Sequence, residues 1–185
     1  MKKWLFLAVL FLMGIAVKAQ NVVYDNTDAA GVRTVIMEGL NLGAVSGVDV
    51  YVGLAGFQYN KTVRYSLAVS FGADHPIEIP VGGICVLSLG NGKTVQLPTV
   101  AGGAALLKTI DVKLEDVYSK YRRFAYYRFE KNGTLKKAVK KGVLAIGFNL
   151  NPSDYATTSD SDGEELTALL QSEYESLQHA FGKKK

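Results

Sequence analysis

Val48-Asp49-Val50-Tyr51-Val52-Gly53-Leu54 and, a few residues on, Val63-Arg64-Tyr65-Ser66-Leu67-Ala68-Val69-Ser70-Phe71 decide the fold. Both stretches alternate with period two, the pattern of strands that bury one face more deeply than the other. Val48, Val50, Val52 and Leu54 fall on one side, against Asp49, Tyr51 and Gly53 on the other. Val63, Tyr65, Leu67, Val69 and Phe71 alternate in the same way with Thr62, Arg64, Ser66, Ala68 and Ser70. The pair reads as an antiparallel hairpin connected through Gly56 to Lys61. Upstream, Val32 to Glu38 is β-branched and strand-like.

Downstream, Asn91-Gly92 meets the positive-φ demand of a type I′ turn and predicts paired strands over Ile84 to Leu89 and Lys93 to Leu97. A two-residue loop sets Ser88 against Val95 and Val86 against Leu97, which puts Ile84, Val86, Val95 and Leu97 on one apolar face. Cys85, Leu87 and Leu89 occupy the other with Thr94 and Gln96, so the pattern predicts strands covered on two sides. Pro80 and Pro98 bracket the hairpin, where a missing N–H removes no central ladder bond. Gly102 to Lys120 is poorly patterned, and the aromatic run Phe124 to Phe129 reads as another strand.

A short helix follows, with Leu135, Ala138 and Val139 on one face, lysines at 136, 137, 140 and 141 on the rest, and Gly142 as its stop. Val143 to Leu150 returns as an apolar strand, and residues 151 to 162 form a polar linker. Ser161 or Asp162, each three residues before a glutamate, marks the start of a last helix. Leu166, Leu169, Leu170, Tyr174, Leu177 and Phe181 make one apolar stripe along it, too apolar to remain exposed at roughly 1.5–3 kcal/mol per buried group. The fold class is α+β: a mainly antiparallel β-sheet with one short helix and a C-terminal amphipathic helix packed on the sheet.

The first residues address location. Lys2 and Lys3 precede an apolar run from Trp4 to Val17, and Val17-Lys18-Ala19 fits a small-x-small cleavage site. The run is shorter than the roughly 20 residues a spanning helix needs, so residues 1–19 read as a cleaved Sec-type signal peptide rather than an anchor. No cysteine follows that could carry a lipid, which predicts a periplasmic or secreted protein and not a lipoprotein. Removal of Lys2, Lys3 and Lys18 leaves 18 basic against 17 acidic residues, and residues 20–185 are the size of a single domain. That near-neutral balance gives no reason to expect a nucleic-acid partner. Cys85 is the lone cysteine, so the chain contains no internal disulfide, and its apolar surroundings mark it as a small buried hydrophobe.

Ile77-Glu78-Ile79-Pro80-Val81-Gly82, with the strand and polar turn that run on to Leu97, is similar to an I-x-I-P-x-G strand and hairpin in uncharacterised secreted proteins of Bacteroidetes. Ala125-Tyr126-Tyr127, then a short helix ending in Lys140-Lys141-Gly142-Val143, resembles the downstream part of those proteins. The resemblance spans roughly Tyr65 to Leu150. It implies export and the fold described above, and it carries no site residues.

Chemistry-bearing patterns are sparse. His75 beside Asp74 opens a proline-containing loop, His179 lies in the last helix, and no nucleophile-elbow sequence accompanies either. One cysteine and two distant histidines lack the close spacing of zinc ligands. Asp160 to Glu165 lacks the further oxygen ligands of a calcium loop and suits a helix start. Gly82-Gly83 and Gly102-Gly103 are not followed by the Gly-Lys-Ser/Thr of a phosphate loop. Asn60-Lys61-Thr62 and Asn132-Gly133-Thr134 match a glycosylation pattern that a bacterial source would leave unmodified.

The candidate site is the cluster around Tyr118, Tyr121 and Arg122, centred on Arg123, Tyr126, Tyr127 and Arg128, where aromatic rings interleaved with guanidinium groups could stack on sugars or hold anions. The competing reading divides that strand between core and rim, with Tyr126 and Tyr127 on opposite faces. No catalytic or metal-binding residues and no cofactor are assigned. The expected function is a non-enzymatic binding or structural module of the cell envelope, with carbohydrate or an envelope protein as partner. The alternative is a secreted hydrolase with unidentified acids.

Overall fold

The computed structural model describes residues 22–45, 47–76, 78–79, 82–100, 121–149, 155–157 and 160–182. The signal-peptide reading and the segment from Gly102 to Lys120 lie outside them. A long antiparallel hairpin, β4 (Val48–Tyr59) and β5 (Thr62–Ala73), organises the larger sheet. Its connection is tighter than the sequence suggests. Gly56 and Phe57 stay in the ladder, opposite Tyr65 and Arg64, and the turn contracts to Asn60-Lys61 with Asn60 at φ 53°. Gly56 looks like a breaker but is a packing site: a Cβ there would lie 2.3 Å from Phe181 Cε2.

Around this hairpin the order is β1 (Val22–Thr27), β2 (Val32–Met37), β4, β5 and β8 (Tyr121–Arg128), all neighbours antiparallel. β3 (Leu40–Val45) also pairs with β4. β4 is long enough to share one edge between two strands: β2 pairs along Ala55–Tyr59 and β3 along Val48–Val52. At the seam between them Gly39 takes φ +81°, and its Cα would lie 2.8 Å from a Cβ on Gly53, so a side chain on Gly53 would collide with backbone.

The second sheet has the order β10 (Tyr155–Thr157), β9 (Val143–Phe148), β6 (Ile84–Leu89), β7 (Thr94–Pro98). The β6–β7 register differs by one residue from the type I′ expectation. Cys85 faces Leu97, Leu87 faces Val95 and Ser88 faces Thr94. The loop holds three residues, closed by Leu89 N–H donating to Lys93 O at 2.8 Å, and Gly92 alone adopts positive φ, 76°. That shift puts Cys85, Leu87, Leu89 and Leu97 in the core and leaves Ile84 37 % exposed, so the strands are fully buried on one face only. The expected polar linker likewise contains β10, which pairs with the end of β9.

The two sheets face each other across a shared apolar core. Phe148 meets Phe71 edge-on at 5.0 Å and Tyr127 at 5.5 Å. A bridge between Thr99 and Tyr127 and a Val100 N–H donated to Tyr126 O join the end of β7 to β8. α1 (Asn132–Lys141) buries Leu135 and Ala138 and ends at Gly142, φ 76°. α2 (Asp160–Ala180) begins ahead of both expected cap residues and packs on the large sheet, β9 and α1. Leu166, Leu169, Leu170, Leu177 and Phe181 are buried as the stripe requires, while Tyr174 is half-buried against the Tyr65 ring. The architecture is therefore α+β, with the C-terminal helix docked on sheet. Among the described residues no helix is long and apolar enough to cross a membrane.

Candidate functional site

Strand β8 divides the sequence-derived cluster between two environments. Tyr127 points inward with Ala125; it is fully buried, and burial pushes its phenol well above the ordinary range. Tyr126 points to the other face and is 4 % exposed, edge-on to Phe57 at 5.2 Å, its phenol pushed up to about 12 mainly by burial and then by Tyr24. Arg123 and Arg128 are exposed. Arg123 shares the parity of Tyr127, and Arg128 that of Tyr126, but neither ring presents an open face beside its arginine. The side chains of Tyr121 and Arg122, and all of Tyr118, lie outside the described residues.

The outer face of the large sheet, away from the second sheet, offers a different feature. β4 contributes Gly53 and Ala55 there and β5 contributes Ser66, Ala68 and Ser70, so the middle of the sheet is floored by small residues. Ile36, Tyr51, Phe124 and Tyr126 stand around that floor and enclose a narrow groove of about 40 Å³. Val23, 41 % exposed, and the Glu38–Gly39 corner also line it. At the floor, the Ser70 hydroxyl is buried and has no hydrogen-bond partner among the described residues, though a buried hydroxyl is ordinarily satisfied. The signal for this site was present in the parity of the sequence: past Arg64, the positions alternating with the large core residues of β5 are the small Ser66, Ala68 and Ser70.

Glu173 was missed altogether. It occupies the apolar stripe of α2, three residues after Leu170 and four before Leu177, and it is fully buried. Its Oε2 accepts Leu54 N–H at 2.5 Å and its Oε1 accepts Gly39 N–H at 3.1 Å. These are donors at the seam where β2 ends and β3 begins, so the carboxyl supplies acceptors where the ladder has a gap. Desolvation, opposed by the two amides and aided by Glu38, pushes its pKa up to about 8.

Elsewhere, Cys85 is wholly buried and its thiol pKa is raised by desolvation, which suppresses thiolate chemistry. His75 is half-buried and His179 exposed, on separate elements. Among the described residues no three His, Cys, Asp or Glu side chains converge as a metal site would require. No protein-family model, curated protein or solved structure matches the chain.

Proposed function

We propose that the protein is an exported, non-enzymatic binding module of the cell envelope, and that its partner is a protein that inserts an aliphatic side chain into the outer groove of the large sheet. The observation that carries this reading is the groove itself. It has an apolar rim, a floor of small residues and about 40 Å³ of space, which suits one protruding side chain and is too narrow for a sugar ring. Carbohydrate recognition would draw instead on open aromatic faces, and Tyr126 and Tyr127 are both turned into packing. Export rests on the basic, apolar and small-x-small pattern of residues 1–19, and the resemblance to secreted Bacteroidetes proteins points the same way. The hydrolase alternative gains no support from Glu173, because both of its oxygens already accept backbone N–H groups behind the helix.

Filling the floor tests the reading. Wild-type protein should bind a member of an array of purified envelope proteins, and Ala68→Leu should weaken that binding at least tenfold while the fold, followed by circular dichroism, is retained. Binding confined to a glycan array, or protein binding indifferent to Ala68→Leu, overturns the assignment.

A further inference from the structure

A second concavity has a largely apolar lining to which three lysines also contribute. It is formed where the β6–β7 turn meets α1. Lys137 and Lys141 project from one helix face at i, i+4 spacing, Thr134 precedes them on that face, and Lys93, Thr94 and Asn91 come from the turn. Leu89 and Val95 supply apolar wall, and the space measures about 350 Å³, within the roughly 300–1,000 Å³ usual for small-molecule sites. We propose that this pocket binds a phosphate monoester, with the phosphoryl group among Lys93, Lys137 and Lys141 and the organic portion along the apolar wall.

Three features support it. None of the three lysines, all exposed, has an ion-pair partner among the described residues, which leaves their ammonium groups available to an anion. The backbones that carry them are held together: Gly90 N–H donates to Gly142 O at 3.1 Å, and a Cβ on Gly90 would lie 2.5 Å from Lys141 O, so the turn lies close against the end of the helix. Asn91 Oδ1 accepts Lys93 N–H at 3.3 Å, which leaves the Asn91 side-chain amide group to donate toward a ligand. The carbonyl end of α1 disfavours an anion, but Gly142 O is already engaged by the turn, and a dianionic phosphoryl group matches several ammonium charges better than a single carboxylate does. The lysine stems add apolar wall below their charged heads.

The proposal is independent of the outer groove. It is tested by titrating the purified protein with glucose 6-phosphate and with glucose, and by sedimenting it with phosphatidylcholine vesicles with and without phosphatidic acid. Saturable binding of glucose 6-phosphate but not glucose supports a soluble ester; sedimentation that requires phosphatidic acid supports a lipid headgroup. In either case the combined Lys93→Gln, Lys137→Gln and Lys141→Gln variant should bind at least tenfold more weakly, while Lys136→Gln with Lys140→Gln, on the same helix outside the pocket, should stay within twofold of wild type. Absence of binding to both probes, or equal losses in the two variants, overturns it.

Discussion

The two faces of the β4–β5 hairpin are made by alternate residues of the same two strands, yet they serve different ends. On the inner face Val50, Val52, Leu54, Tyr65, Leu67 and Phe71 are fully buried and meet the second sheet and α2. On the outer face Gly53, Ala55, Ser66, Ala68 and Ser70 fill little volume, and Ile36 and Tyr126 pack with Ala55 in a small separate cluster. Large side chains at one parity hold the fold together by burial, and small ones at the other leave a groove. A sheet can therefore carry its core and a recognition surface back to back without assigning them to different strands.

The strongest way to break that contrast is on the inner face. Leu54→Ala removes a fully buried side chain and should cost about 2–5 kcal/mol in chemical denaturation, the range for a cavity left in a packed core. A loss under about 1 kcal/mol would show that the inner face is not where stability resides.

Glu173 sharpens the contrast, because it is a polar group placed on the inner side. Glu173→Ala strips the acceptors from two amides and should cost about 1–3 kcal/mol for each donor left buried and unpaired. The carboxyl also makes stability depend on pH. Its folded pKa of about 8 lies above the ordinary 4.5, so the native state holds the proton more tightly than the unfolded chain does. Its contribution is complete below about 4.5 and is lost as pH rises toward about 8, so this group makes stability fall across that window. Urea midpoints for wild type and Glu173→Gln should converge in slope outside the window and differ within it; parallel curves throughout would exclude Glu173 as the titrating group.

The smallest stability effect belongs to the outer face. Ala68→Leu adds volume to a groove rather than to a filled core, so its melting temperature should change by only a few degrees, corresponding to less than about 1 kcal/mol. A drop as large as that of Leu54→Ala would mean that both faces are core and would remove the distinction.

How much of this was legible in the sequence follows from the range of each interaction. The alternation in Val48–Leu54 and Val63–Phe71, the stripe of α2 and the short helix are local periodicities, and they appear where expected. The connection at Gly56 was misread because the reason for that glycine is Phe181, far along the chain. The β6–β7 register slipped because Asn-Gly suits both two- and three-residue loops, and apolar residues at both parities gave no local means of deciding between them. In the Tyr/Arg run, strand parity already offered the reading that holds, with adjacent tyrosines on opposite faces, and composition alone suggested a shared surface. The lysine pocket was hidden for a similar reason: the helix lysines looked like a solvated face until the turn was brought against them.

The bonds made by Glu173 also set an order of assembly. They join residues 119 and 134 positions apart, and Arg33 Nη1 donates to Ala180 O across 147. The seam between β2 and β3 therefore lacks its acceptors until nearly the last residues of the chain are in place. Contacts of such sequence separation close slowly, because a long loop must be ordered before they form. In a chain made from its N-terminus, the sheet residues precede the helix that latches them. Pulse-labelled hydrogen exchange during refolding should accordingly find Gly39 and Leu54 amides protected later than the β4–β5 ladder. The carboxyl-terminal helix is thus a latch that closes only after the sheet it completes has formed.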